Sequence, residues 1–201
     1  HPLVGQTPPN REEVLLEHLF HGQLVCFAYL LLAFLGGLAI GNLAGAQVLR
    51  TRADPRVVMG ALCVASGIAA LDTLLLVVFA QVGFHVFAGI VATAMLVGAT
   101  FPVALRLRFE GLAWFGRTIG SVYAWNTAGS IAGAFAAGFA LIPLLGSQRT
   151  WIALAALHVL AGAAVLARSS RPRLALWAGS AGALAVAVCA LLLPRDALVR
   201  A

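Results

Sequence analysis

Six long apolar runs divide this chain, at about 24–46, 57–80, 84–106, 120–142, 149–167 and 174–193, and the polar residues gather between them. At a rise of about 1.5 Å per residue, nearly all of the runs are long enough to cross a bilayer core. The fifth is the shortest and borrows from its flanks. Each is apolar on every face, which suits a helix immersed in lipid rather than one lying on a soluble core. No ten-residue alternation of a closed β-barrel appears. Lipid leaves backbone groups no partner but each other, so the runs are read as helices. The predicted fold class is all-α, a polytopic transmembrane helix bundle of about six spans. Residues 24–193 form the bundle, 1–23 an outer lead-in with an amphipathic helix, and 194–201 an outer tail or the start of a missing soluble domain.

The loops give an orientation. Arg50, Arg52 and Arg56 follow the first run, Arg106, Arg108 and Arg117 the third, and Arg168, Arg171 and Arg173 the fifth. Arg11, Arg149, Arg195 and Arg200 fall on the other side. Arginine-rich loops stay on the cytoplasmic side. Nine arginines against four therefore predict a multi-pass protein of a bacterial inner membrane with both ends of the chain outside. The link Gln81-Val82-Gly83 makes the second and third spans a tight outer hairpin. Arg108, Trp114, Phe115 and Arg117 in 107–119 suit the headgroup layer, so a short interfacial helix is expected there. Pro2, Pro8 and Pro9 predict an extended lead-in. Asn10 with Glu13 forms a capping box for a helix that runs into the first span.

Composition agrees with this pattern and removes other classes. Of 201 residues, 62% are apolar and 10% charged, more apolar surface than a soluble globule of this size can bury. The net charge of +6 would suggest nucleic acid in a soluble protein, but every one of the 13 basic residues is an arginine set between apolar runs. That distribution fixes membrane orientation and excludes a nucleic-acid reading. Cys26, Cys63 and Cys189 all lie inside apolar runs without metal-ligand spacing, as small buried residues do. The chain begins at His1, not Met, so further residues are expected upstream.

Few residues carry chemistry. Glu17, His18 and His21 share one helical face, a weak metal set without a fourth ligand; a solvated polar face explains them as well. No metal or cofactor is therefore expected. Asp72 is the one acid well inside a run, about 12 Å from its outer end by helical rise. A charge at the bilayer centre costs about 2.5–3.5 kcal/mol. Two readings stand for it: a proton or cation site shared with His158 or His85, or a hydrogen-bonded acid beside Thr73 facing the bundle. His158 at mid-span reads equally as a satisfied interior histidine.

Small residues give the packing signal. Gly37, Gly41 and Gly45 recur every fourth position, and Gly129 and Gly133 repeat the device in the fourth run. Such stripes allow two helix backbones to approach closely. Asn42-Leu43-Ala44-Gly45 and Asn126-Thr127-Ala128-Gly129 match across 84 residues on helices of opposite direction. An inverted repeat of three helices would produce this match, and so would chance in Gly/Ala-rich helices. Asn126 shares a face with Gly129 and Gly133. Asn126 and Thr127 are therefore expected inside the bundle, against the first helix near Asn42. Asp72, His158, Asn126 and Asn42 are the candidate substrate or proton residues.

Gly98-Ala99-Thr100-Phe101-Pro102 closes the third run, Gly116-Arg117-x-x-Gly120 follows, and then Tyr123-Ala124-Trp125-Asn126-Thr127-Ala128-Gly129, with Gly133, Gly138, Pro143 and Gly146 behind. This order resembles the membrane domain fused to bacterial spermidine synthase-like (polyamine aminopropyltransferase-like) domains, and more distantly the major facilitator transporters. The stretch from Phe34 to Gly45 is similar too, and the likeness covers about 24–167. The Tyr-Ala-x-Asn-Thr-x-Gly element is its specific part. The resemblance implies a membrane module beside an aminopropyltransferase domain. This chain departs from it by having no Rossmann-like nucleotide site and one intramembrane acid, and the family's first helix is replaced or missing. No catalytic residue carries over. Pro194-Arg195-Asp196 is read as the junction to a soluble domain. The expected role is a non-catalytic module that anchors or serves a partner protein, a missing domain or a larger complex, with the lipid bilayer as its other partner. The alternative is half of a transporter for a small solute or polyamine.

Overall fold

A computed structural model describes residues 11–80, 83–108 and 115–193; the side chains of 11–21, 80 and 115 lie outside the description. The described residues are helical, without strands. The helices are α1 (Arg11–Val48), α2 (Pro55–Leu75), α3 (Gly83–Arg108), α4 (Phe115–Phe135), α5 (Ile142–Leu145), α6 (Ser147–Ala167) and α7 (Arg173–Leu192). A π-helical stretch, Leu76–Ala80, extends α2, and a second, Ala136–Leu141, joins α4 to α5. Six continuous helices are long and apolar enough to span a membrane: Gly22–Val48, Pro55–Phe79, Gly83–Arg108, Gly116–Leu145, Ser147–Ala167 and Arg173–Leu192. The protein is a multi-pass helix bundle.

Two regions differ from the sequence reading. The fourth span continues to Leu145 rather than 142. Pro143 removes one backbone donor, and the helix accommodates it by widening, so that Ile142 N–H reaches back five residues to Ala137 O. Gly146 then turns the chain directly into α6 with φ 81°, a left-handed backbone that favours glycine. The expected interfacial helix at 107–119 is divided between the end of α3 and the start of α4, and 109–114 lie outside the described residues, as do the prolines of the lead-in, Asn10 and the tail from 194. Gln81 and Val82 lie outside them too.

Backbone proximity organises the bundle. Ala33, Gly37, Gly41 and Gly45 form the buried edge of α1. A Cβ at Gly37 would sit 2.8 Å from both Ala94 Cβ and Val91 O of α3, and one at Gly45 would sit 2.6 Å from Ala99 O. Gly41 lies against the Met95 backbone, and Gly98 of α3 against Leu38. The register advances in step on both helices, so α1 and α3 run parallel. A second seam joins α2 to α6 in antiparallel register. A Cβ at Gly60 would meet Gly162 O at 2.8 Å, and one at Gly67 would meet Ala155 O at 2.7 Å. Leu71 and Leu74 of α2 form the apolar centre with Ala155, Cys189 and Leu193. Thr73 Oγ1 donates to Ala69 O at 2.8 Å, so Thr93 of α3 donates to Thr73 at 3.3 Å. Thus α2 is the hub, touching α3, α6 and α7.

The fourth span stands apart. None of the most apolar window of Gly116–Leu145 is buried, against 33% for Pro55–Phe79. The expected packing of Asn126 and Thr127 against the first helix is not made, because α3 occupies that edge of α1. Both residues are exposed, and a Cβ at Gly129 or Gly133 would meet nothing within 4 Å.

Candidate functional site

Because α4 does not close against its neighbours, two cavities lie between it and the packed body. One, of about 380 Å³, is bordered by α2 (Ser66, Ala70), α3 (Thr93, Val97), the end of the fourth span (Ala137, Ile142) and α6 from Ser147 to His158. The other, of about 880 Å³, lies nearer the arginine-bearing ends of the helices. It is bordered by α1 (Leu38, Asn42), α3 from Val97 to Arg108, and α4 from Ser121 to Ser130. Val97 borders both. Phe101 and Tyr123 meet edge to face across the second cavity, with ring centroids 5.0 Å apart, and tie α4 to α3.

The polar groups of the smaller cavity are mostly engaged in the helices that carry them. Ser66 donates its hydroxyl to Cys63 O at 2.9 Å. The Trp151 indole N–H donates to Ala70 O at 3.0 Å, which pins α6 to α2 and turns the apolar ring towards the space. His158 Nδ1 lies 2.9 Å from Leu154 O. A carbonyl only accepts, so Nδ1 carries a proton, and in that tautomer Nε2 is left to accept. Thr150 is different. It is 4% exposed, and its Oγ1 has no hydrogen-bond partner. Gln148, two residues earlier on α6, leaves Oε1 unpaired as well, while its Nε2 donates to Leu193 O at 3.5 Å. A buried polar atom left unpaired costs about 1–3 kcal/mol.

The sequence candidates separate into three places. Asn42 and Asn126 border the larger cavity from opposite sides. Asn42 is half-buried and donates from Nδ2 to Leu38 O at 3.3 Å. The Asn126 side chain makes no hydrogen bond; only its backbone carbonyl is used, by Ser130 Oγ at 2.8 Å. His158 borders the smaller cavity and is exposed rather than interior. Asp72 borders neither. It is exposed on another side of α2, and no hydrogen bond joins it to His158 or His85. Glu17, His18 and His21 fall on α1, and their side chains lie outside the described residues; among those described, no three His, Cys, Asp or Glu side chains converge as a metal set. Thr150 escaped the sequence reading because a threonine in a helix commonly returns its hydroxyl to the preceding turn.

The arginine ends come together on one face. Arg56 Nη1 donates to Arg168 O at 3.4 Å, and Arg56, Arg108 and Arg168 border a shared hollow of about 260 Å³. Asp54 caps α2 by accepting from Arg56 N–H at 2.9 Å, and its second oxygen accepts from Ser170 N–H at 2.9 Å. The Ser170 bonds, followed by the Arg56 backbone bond, hold its carboxyl at about 2, from an ordinary 3.8. No protein-family model, curated protein or solved structure matches the chain.

Proposed function

We propose that this chain is a non-catalytic membrane module, similar to the membrane domain of spermidine synthase-like proteins, and that it seats a membrane-embedded partner against its fourth span. The supporting observation is that span itself. It crosses the bilayer with nothing buried, an unpaired Asn126 amide and open glycines at 129 and 133. An amide in hydrocarbon calls for a partner, and glycines at that spacing admit another backbone. The arginine face lies in the cytoplasm, and the membrane is a bacterial inner membrane. The test is a photoreactive phenylalanine analogue placed at Trp125 or Ile131 in native membranes, with Leu191 of α7 as the control. Protein adducts at 125 and 131 and lipid adducts at 191 are expected. Lipid adducts alone at all three positions would overturn the reading.

A second reading, half of a facilitator-like transporter, draws on the two cavities that meet at Val97. Neither is bordered by a carboxylate, so an uncharged solute suits this reading better than a polyamine. Uptake of glycerol or spermidine into proteoliposomes, blocked by Val97→Trp, would favour it over the module.

A further inference from the structure

We infer that the smaller cavity is a binding site for an uncharged, largely apolar small molecule carrying one hydroxyl or carbonyl group, held by Thr150. The cavity, about 380 Å³, lies within the usual range of ligand pockets. Its walls are mainly aliphatic, with the Trp151 ring beside them. Among its polar groups, Ser66, Thr93 and Trp151 spend their hydrogens or lone pairs on neighbouring helix atoms. Two capacities remain besides the exposed Ser147 hydroxyl. Thr150 Oγ1 is buried and unpaired, and so can donate and accept. The Nε2 of a neutral His158 can accept. A hydroxyl-bearing ligand answers both, and a carbonyl answers the first.

Charge decides against the ionic classes. No Asp, Glu or Arg borders the cavity, and Asp72 points elsewhere on α2. An ammonium or carboxylate ligand would leave water without a counter-ion, in a setting where each charge is penalised heavily. Water alone is a poor occupant for most of the space, because the walls offer it too few partners. The inference stands apart from both readings above: a module with a structural ligand and a transporter half would each use the same cavity.

The test uses the purified full chain in phosphatidylcholine nanodiscs and a diazirine-bearing octanol as probe, with labelled residues mapped by mass spectrometry. Saturable labelling between Thr150 and His158 is expected, displaced by excess octanol and not by octylammonium. Thr150→Val keeps the shape and removes the hydroxyl, and should raise the half-saturating concentration at least about threefold. Ala137→Phe fills the space from the loosely packed fourth span, where the fold tolerates bulk, and should abolish the labelling. Non-saturable labelling, equal displacement by octylammonium, or labelling that both variants leave unchanged would overturn the inference.

Discussion

The second and fourth spans carry the same device and meet opposite fates. Gly60 and Gly67 of α2 lie against the backbone of α6, so closely that a methyl group at either would collide with it. Gly129 and Gly133 of α4 have the helical spacing for the same contact and meet open space. Small residues thus confer a capacity for close approach, and the partner is chosen by what else the two faces offer. On α2, Leu71 and Leu74 flank the glycines and enter a centre shared with α6 and α7. On α4 the flanking residues are Tyr123, Trp125 and Ile131, all largely exposed. The difference follows from α1 as well. Its glycine edge is filled by α3, whose Val91, Met95 and Ala99 meet Gly37, Gly41 and Gly45 at matching four-residue intervals.

The strongest way to break this comparison is to add bulk to each seam. Gly41→Leu or Gly67→Leu drives a side chain into a neighbouring backbone that has nowhere to move. Each should cost at least about 3 kcal/mol or prevent folding. Gly129→Leu should change the stability of the isolated chain by no more than about 0.5 kcal/mol. It should instead remove the partner adducts at 125 and 131. Unfolding in mixed detergent–SDS micelles, followed by circular dichroism, separates the two. Equal losses for Gly67→Leu and Gly129→Leu would mean that α4 is packed after all.

Much of the fold was legible in the sequence because lipid constrains it so tightly. Length and apolarity alone located six spans, and the grouped arginines 50–56, 106–117 and 168–173 identified the helix ends that share a face. Helix pairing was less legible. The stripe Gly37, Gly41, Gly45 announced a close contact but not its partner, and the seven-residue spacing of Gly60 and Gly67 was overlooked beside it. The candidate site was legible only in fragments. His158, Asn42 and Asn126 do border the two cavities beside α4, whereas Asp72, the most conspicuous residue in the sequence, borders neither. Thr150 carries no signal until the tertiary structure shows its hydroxyl without a partner.

A middle-sized effect sharpens what makes α2 the hub. The Trp151 indole donates to Ala70 O across the α2–α6 seam at 3.0 Å. Trp151→Phe keeps an aromatic ring and deletes that donor. A loss of about 0.6–1.7 kcal/mol is expected, the range of interhelical hydrogen bonds in membranes. Asn126→Leu on α4, which deletes an amide that bonds to nothing in this chain, should leave the isolated chain as stable as before. A Trp151→Phe variant as stable as the parent would show that glycine contacts alone hold the seam.

The smallest expected effect lies at the membrane surface, where α2 begins. Asp54 ties the start of α2 to the turn between α6 and α7 through Ser170 N–H at 2.9 Å. Its carboxyl is depressed to about 2 from 3.8, chiefly by the Ser170 hydrogen bonds. A carboxyl that is more acidic when folded binds its proton first in the unfolded chain. Its stabilising contribution is therefore complete above about pH 3.8 and is lost as the pH falls through about 2. The group is only partly buried at the start of α2, so solvent and salt screen the interaction and keep the effect small. Melting curves of the parent between pH 5 and pH 2 should show a decline that Asp54→Asn, already lacking the charge, does not share. Parallel pH profiles for the two proteins would mean that Asp54 caps α2 as a neutral acceptor does, and that glycine seams within the membrane, rather than this surface link, account for the whole difference between α2 and α4.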